Sequence, residues 1–226
     1  MVSVIIAAAG SGTRFGGETP KQFLQLGEKP VLAHSIQVFQ RISYVNEIAV
    51  AVPQGHACDV LKMVHDHGLC KVKHVIDGCE SRSESICNAL QHLNPKTEIV
   101  LIHDGVRPLV SAEIIHAVTS AARKHGAAIT GLPFTDTVKE VDESGRIVAT
   151  PMRARFRQVQ TPQGFLFPLI LDAYKNTPSL AGFTDDSAIF EANGGAVYVV
   201  EGDPHNIKIT TREDLLLAHF LLEAHV

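Results

Sequence analysis

Residues 2–17 read VSVIIAAAGSGTRFGG, an apolar run through Ala9 followed by a turn with glycine at positions 10, 12, 16 and 17. A short run rich in β-branched residues and closed by turn formers reads as a strand, and one apolar at every position is buried on both faces. Such strands belong to parallel sheets with helices packed above and below. Working outward, similar runs at 47–52, 72–76, 99–103, 127–132 and 196–201 predict further strands. The stretches between them carry apolar residues at helical spacing, over 31–41, 57–67, 83–93, 111–125, 167–175, 185–193 and 211–224. Thr210 and Glu213 stand at capping-box spacing at the start of the last. Strand alternating with helix implies right-handed crossovers and a three-layer, Rossmann-like α/β domain with a mostly parallel sheet.

One stretch breaks the alternation. Residues 135–150, TDTVKEVDESGRIVAT, hold two alternating segments around Asp142-Glu143-Ser144-Gly145 and predict a projecting β-hairpin. A lone hairpin is marginal in water, so it either lies on its own domain or packs as an arm on a second subunit. No linker or repeat appears elsewhere, so 1–226 reads as one domain carrying that arm.

Composition fits a globular chain. Its 226 residues equal about one and a half domains by the usual yardstick. Apolar residues make up 45% and charged residues 19%, which excludes disorder and low complexity. A net charge of −4 shows no basic excess for nucleic acid or an anionic membrane, although it says nothing about a local pocket. The apolar start is too short for a membrane span and has no basic leader, so a cytoplasmic protein is expected. Cys58, Cys70, Cys79 and Cys87 form no CxxC pair and read as reduced thiols. The 12 histidines include no HExxH motif, and neighbours such as His65 and His67 diverge on a helix, so no zinc site is expected.

In α/β sheets ligands bind beyond the carboxyl ends of the strands. The first such loop holds Gly10, Ser11, Gly12 and Thr13, then Arg14, and reaches Pro20-Lys21. Glycines let the backbone approach a ligand, and their amides can form an anion nest. Two cations in the same loop favour a polyphosphate guest. The spacing is not that of a P-loop. Gly10, Gly12 and Gly16 fit a dinucleotide-binding variant, but Gly16-Gly17 and Pro20 delay the next helix to about Val31, which suits a long loop around a triphosphate. The fourth strand ends in His103-Asp104-Gly105-Val106-Arg107-Pro108. A carboxylate there suits a divalent cation held with phosphates, a turn or cap role being the alternative, and Arg107 is a second anion contact.

These motifs carry a resemblance. GSGTRFG with Pro20-Lys21-Gln22, the segment from Asp77-Gly78 to Arg82 and Ser85, His103-Asp104 with Arg107-Pro108, Gln160-Thr161-Pro162-Gln163, Thr184-Asp185 and Asn206-Ile207-Lys208 follow one another in order. That order resembles the 2-C-methyl-D-erythritol 4-phosphate cytidylyltransferases over nearly the whole chain. The resemblance implies a nucleotidyltransferase that moves CMP from CTP to methylerythritol phosphate and releases pyrophosphate, in the non-mevalonate route to isoprenoid precursors. It also implies magnesium and a homodimer whose arm completes the partner's site. By position, Arg14, Lys21 and Lys208 match catalytic cations. Ala8 and Ala9 match backbone contacts to cytosine, and Gly78, Arg82 and Ser85 match contacts to base and ribose. Asp104 matches the acid near metal and ribose. Thr137 and Arg153 match arm residues that hold the acceptor, and Arg107, Thr161 and Thr184 match further acceptor contacts. Gly105 stands where the family has alanine, and Arg155 competes with Arg153.

The chemistry needs no nucleophilic side chain. The acceptor is a phosphomonoester with a second pKa near 6, already mostly dianionic at neutral pH. Catalysis reduces to placement and charge compensation. Plainer roles also fit: Ser85 as a polar helix position, Thr184 as an N-cap, Arg153 as a surface charge, Lys208 as a solvated edge residue. A ribitol 5-phosphate cytidylyltransferase shares the glycine loop and the Pro-Lys pair. A dinucleotide-binding Rossmann protein would need an acid such as Glu28 at a strand end.

Overall fold

The computed structural model describes residues 1–10, 15 and 19–224. Its strands are β1 (Val2–Ala7), β2 (Gln25–Leu26), β3 (Lys29–Pro30), β4 (Val45–Val52), β5 (Val72–Asp77), β6 (Ile99–Asp104), β7 (Ala127–Pro133), β8 (Glu140–Val141), β9 (Ile147–Ala149), β10 (Arg157–Leu166) and β11 (Tyr198–Glu201). The helices are α1 (Val31–Arg41), α2 (Ala57–Asp66), α3 (Arg82–His92), α4 (Ala112–His125), α5 (Phe167–Asn176), α6 (Asp186–Ala192) and α7 (Arg212–Ala224). Seven strands form one sheet in the order β11-β7-β10-β6-β1-β4-β5. All its pairings are parallel except those of β10, which runs antiparallel to both β6 and β7.

The two-residue period of the strands divides the core. Val4, Ile6, Ile48, Val50 and Leu101 point to one face, where Leu32, Ile36 and Phe39 of α1, Val60 of α2 and Ile115 and Val118 of α4 cover them. Ile5, Ala49, Val100 and Ile102 point to the other, under Ile86 and Leu90 of α3, Ile170 of α5 and Ile189 of α6. The central strands are therefore apolar on both faces because helices lie on both sides. A smaller cluster of Leu26, Val31, Val106, Ile209 and Ala218 docks α7 beside the first helix.

The helices begin and end within a residue or two of the sequence reading, with two corrections at their caps. The reciprocal cap of α7 lies one position later than expected: Thr211 N donates to Asp214 Oδ2 at 2.8 Å and Asp214 N to Thr211 Oγ1 at 3.4 Å. The N-cap of α6 is Asp185 rather than Thr184, with Asp185 Oδ1 accepting from Ala188 N at 2.9 Å. A carboxylate there also complements the helix dipole.

β10 has no counterpart among the expected strands. Its sequence RQVQTPQGFL mixes three glutamines with a proline, so the alternation is broken. Pro162 lacks the amide a ladder needs, and the chain accommodates it with a register shift between Gln160 and Gln163 and a cis Thr161-Pro162 bond. Gln160 and Gln163 find partners for their own polar groups in later segments.

The expected hairpin is present as β8 and β9, a separate two-stranded sheet whose residues are all exposed. Asp142 organises its turn by accepting from Ser144 N at 3.0 Å and Arg146 N at 3.1 Å, and Gly145 takes φ +83°. Val141, Ile147 and Val148 are half or more exposed.

Candidate active site

The carboxyl ends of β1, β4 and β6, the start of α3 and the segment before α7 enclose a cavity of about 440 Å³. Ala8, Ala9, Gly10, Lys21, Arg82, Ser85, Asp104 and Lys208 all line it, so positions far apart in sequence meet in one place. Ala7, Gln22, Ala51, Cys79, Glu80, Ser81 and Val106 complete the lining.

Asp104 ends β6 on the cavity floor. Lys208 Nζ lies 2.9 Å from its Oδ2, Arg82 Nε 3.5 Å from Oδ1 and Arg107 Nε 3.5 Å from Oδ2. Burial would push this carboxyl up, but Arg82, Lys208 and Arg107 together hold it well below the usual carboxylate range. One carboxylate thus faces three cations. Among the described charged side chains that line the cavity, Lys21, Arg82 and Lys208 are cations and Glu80 and Asp104 are acids. A cavity whose described lining holds more cations than acids is suited to an anion.

The neighbouring backbone is tied down residue by residue. Asp104 N donates to Thr161 Oγ1 at 3.0 Å, and Thr161 Oγ1 lies 3.0 Å from His103 Nδ1. His103 Nε2 is 3.1 Å from the carbonyl oxygen of Arg107, which can only accept. The proton is therefore on Nε2, Nδ1 accepts from the Thr161 hydroxyl, and that hydroxyl accepts from Asp104 N. Asn206 Nδ2 donates to Thr161 O at 2.8 Å, and the Asn206 carbonyl accepts from Arg107 Nη1 at 2.7 Å and Gln160 Nε2 at 3.3 Å. This network fastens the 206–208 segment to β6 and β10 and carries Lys208 to Asp104.

His103 is fully buried, and burial lowers it to about 4, against the opposing pull of its bond to Arg107. The unfolded chain takes up that proton near 6.5, and the folded protein refuses it until much lower pH. The stabilisation is complete above about 6.5 and is lost as pH falls toward about 4. Folding stability is expected to drop by on the order of 2 kcal/mol between pH 6.5 and 5 from this group alone. His34, lowered chiefly by burial, acts in the same direction. Urea melts of the wild type and of His103→Asn at both pH values check this. Equal pH slopes in the two proteins would show that His103 is not the source of the pH dependence.

Lys21 sits on a 3-10 turn over Lys21–Phe23. The adjacent Gln22 is 1% exposed and donates to Ala8 O at 2.7 Å and Gly10 O at 3.2 Å, pinning that turn to the end of β1. On the opposite wall, Ser81 and Glu84 form a capping box that starts α3. Ser85 Oγ donates to Ser81 O at 2.8 Å and accepts from Cys79 N at 2.9 Å, so its hydroxyl shapes the 79–81 turn. Gly78 does not line the cavity but abuts it, and a Cβ there would lie 2.4 Å from that of Ala9. Gly105 is also confined, since a Cβ would lie 3.0 Å from both Ala8 Cβ and Leu32 Cδ1, and the alanine expected there would need its neighbours to give.

The remaining sequence-derived candidates fall elsewhere. Arg107 and Thr161 lie beneath Asp104, at 8% and 5% exposure, and support it from below. Thr137, Arg153 and Thr184 line no part of the cavity; Arg153 Nη1 donates to Thr135 O, tying the two ends of the hairpin segment. Ser11, Gly12, Thr13 and Arg14 lie outside the described residues. Glu28 occupies the turn between the two-residue strands β2 and β3, away from the main sheet, which disfavours dinucleotide binding. Among the described residues no three His, Cys, Asp or Glu side chains gather to hold a metal, and all four cysteines are free. Sequence reasoning gave no role to Gln22, His103, Asn206, Tyr174 or Asp186. Only Gln22, His103 and Asn206 had a signal, their presence inside recognised motifs.

A family model for 2-C-methyl-D-erythritol 4-phosphate cytidylyltransferase matches residues 2–224. The chain belongs to that family. It is 40% identical over 223 residues to the cytidylyltransferase of that name from Alkaliphilus oremlandii, covering 98% of this chain and 94% of the relative. It is 42% identical over 225 residues to that of Syntrophotalea carbinolica, covering 98% and 96%. Among solved structures, 4-diphosphocytidyl-2C-methyl-D-erythritol synthase from Anaerococcus prevotii superposes with a TM-score of 0.86 at 32% identity, covering 98% of this chain and 96% of that one. The cytidylyltransferase from Thermus thermophilus gives 0.77 at 33% identity, covering 97% and 98%. In this family member the cavity falls at the carboxyl edge of the parallel strands, as expected for an α/β sheet.

Proposed function

We propose that the protein transfers CMP from CTP to 2-C-methyl-D-erythritol 4-phosphate, giving 4-diphosphocytidyl-2-C-methyl-D-erythritol and pyrophosphate. The observation that carries this reading is the cation-rich cavity, where Asp104 is met by Lys208, Arg82 and Arg107 and Lys21 also lines the space. Such a site suits two phosphorylated substrates whose charges must be brought together.

An oxygen of the acceptor phosphate attacks the α-phosphorus in line, the P–O bond to the β-phosphate breaks, and pyrophosphate leaves with the electron pair. Lys21 and Lys208, with Arg14 of the glycine loop, offset the charge that builds on the five-coordinate centre and the leaving group. Ala8, Ala9, Gly78, Arg82 and Ser85 seat the cytidine, and Arg107 and Thr161 keep Asp104 in place. Asp104 offers a hard oxygen donor, and with no cluster of acids among the described residues a bound magnesium ion would take its other ligands from phosphate and water. When bound, that ion supplies further charge neutralisation on the phosphates.

The chain acts as one nucleotidyltransferase domain with 135–150 as its arm. We assign the arm to a homodimer, in which Thr137, Arg153 and Thr184 reach the acceptor held by the pair of subunits. The exposure of Val141, Ile147, Val148 and Met152 supports this, because a lone hairpin of that character is marginal in water. The reading places the enzyme in the cytoplasm; no helix among the described residues is long and apolar enough to cross a membrane.

Offering methylerythritol phosphate and ribitol 5-phosphate in parallel with radiolabelled CTP tests the acceptor. Labelled product from methylerythritol phosphate is expected, and turnover of ribitol phosphate alone would overturn the assignment.

A further inference from the structure

Arg82 opens α3 at the cavity wall, and its guanidinium is divided between two carboxylates. Nη2 donates to Asp186 Oδ2 at 2.8 Å, and Nε lies 3.5 Å from Asp104 Oδ1. Asp186 is fully buried in the first turn of α6, and its other oxygen accepts from the Tyr174 hydroxyl of α5 at 2.6 Å. Tyr174 is 2% exposed, and neither residue lines the cavity. α6 is itself fastened to β10: Gln163 donates to Asp185 Oδ2 at 2.8 Å and accepts from Ser187 N at 2.9 Å.

The chain from Tyr174 through Asp186 to Arg82 thus runs from core to cavity with each distal member fixed. Arg82 Nη1 is buried and has no hydrogen-bond partner among the described residues, so the guanidinium is held through Nη2 and Nε. Burying a carboxylate and a guanidinium costs desolvation that well-packed apolar residues would avoid, so stability alone gives no reason for the arrangement. Geometry does. A free arginine loses rotamer entropy when a ligand immobilises it, and a side chain already held loses less.

We propose that Tyr174 and Asp186 are positioning residues for the nucleotide, fixing the Arg82 guanidinium so that the part of the side chain lining the cavity meets the cytidine end of CTP. They act on nucleotide binding and leave phosphoryl transfer to the other cations. The proposal rests on reading the cavity as a CTP site.

Tyr174→Phe tests it, since the ring and nearly all the volume remain while one donor is lost. KM for CTP is expected to rise about fivefold to tenfold with kcat within about twofold. In an Arg82→Ala background the same substitution is expected to change KM by less than about twofold, because the element it positions is gone. Asp186→Asn is expected to raise KM further than Tyr174→Phe. An unchanged KM in Tyr174→Phe, or an equal rise in both backgrounds, overturns the proposal. A lower kcat at constant KM, tracking loss of folded protein, marks packing alone and also overturns it. Wild-type protein that fails to turn over CTP overturns the functional reading and this proposal together, whereas wild-type turnover with KM unmoved in the variant overturns only the latter.

Discussion

Lys21→Ala is expected to lower turnover of CTP by about a hundredfold or more while leaving folding nearly intact. Lys21 stands on a short turn at the cavity rim and is not part of the core, so removing its side chain opens no void in the packed layers. The turn itself is held by Gln22, whose amide bonds to Ala8 and Gly10 survive the change. What is lost, on the proposed function, is a positive charge at the cavity that would offset the phosphates, where low dielectric makes such a charge worth more than in water. Arg14→Ala is expected to behave alike. Steady-state rates with CTP and methylerythritol phosphate, alongside a thermal melt, separate the two readouts. Normal turnover by Lys21→Ala would defeat its proposed role.

Asp104→Asn is expected to act on both stability and metal response. The carboxylate is the anionic partner of Arg107, whose side chain is 10% exposed and whose Nε has no hydrogen-bond partner. Arg82 retains Asp186, and Lys208, at 40% exposure, can turn to water. Removing one charge from a buried pair leaves the other uncompensated, at a cost of about 3–5 kcal/mol. A loss near the lower end is expected in urea melts, since one of the three cations keeps a second carboxylate. The same substitution removes the hard oxygen donor, so a magnesium titration of activity is expected to shift to higher concentration. An unchanged magnesium response would take Asp104 out of the metal shell, and unchanged stability would show that the ion cluster contributes nothing net to folding.

Much of the fold was legible in the chain. The apolar runs marked the central strands because burial on both faces leaves no polar position to confuse the period. Asp104 and Lys208 were legible as candidate site residues through the motifs around them, and both line the cavity. That they form an ion pair was not, because they lie far apart in sequence and only the 206–208 strap over β10 brings them together. β10 was illegible for a related reason. Its polar residues are buried not by alternation but by specific partners, Gln160 with Asp203 and Asn206, Gln163 with Asp185 and Ser187, and those partners lie in later segments. Periodicity reports burial, and it cannot report satisfaction of hydrogen bonds at a distance. Asp186 fell to the same limit: beside Asp185 it reads as an acid near a helix start, and only the fold reveals that one caps the helix while the other anchors Arg82. The turn at 142–145 was found because its chemistry is local, an aspartate bonding to the next few amides and a glycine at positive φ.

On the proposed function, the cation-rich cavity joins CTP to a polyol phosphate. Pyrophosphate release measured with CTP, methylerythritol phosphate and magnesium tests it most directly. Release that requires both substrates, in equal amount to the cytidylylated polyol formed, is the predicted result. No release above a blank lacking acceptor, from protein shown to be folded, would contradict it.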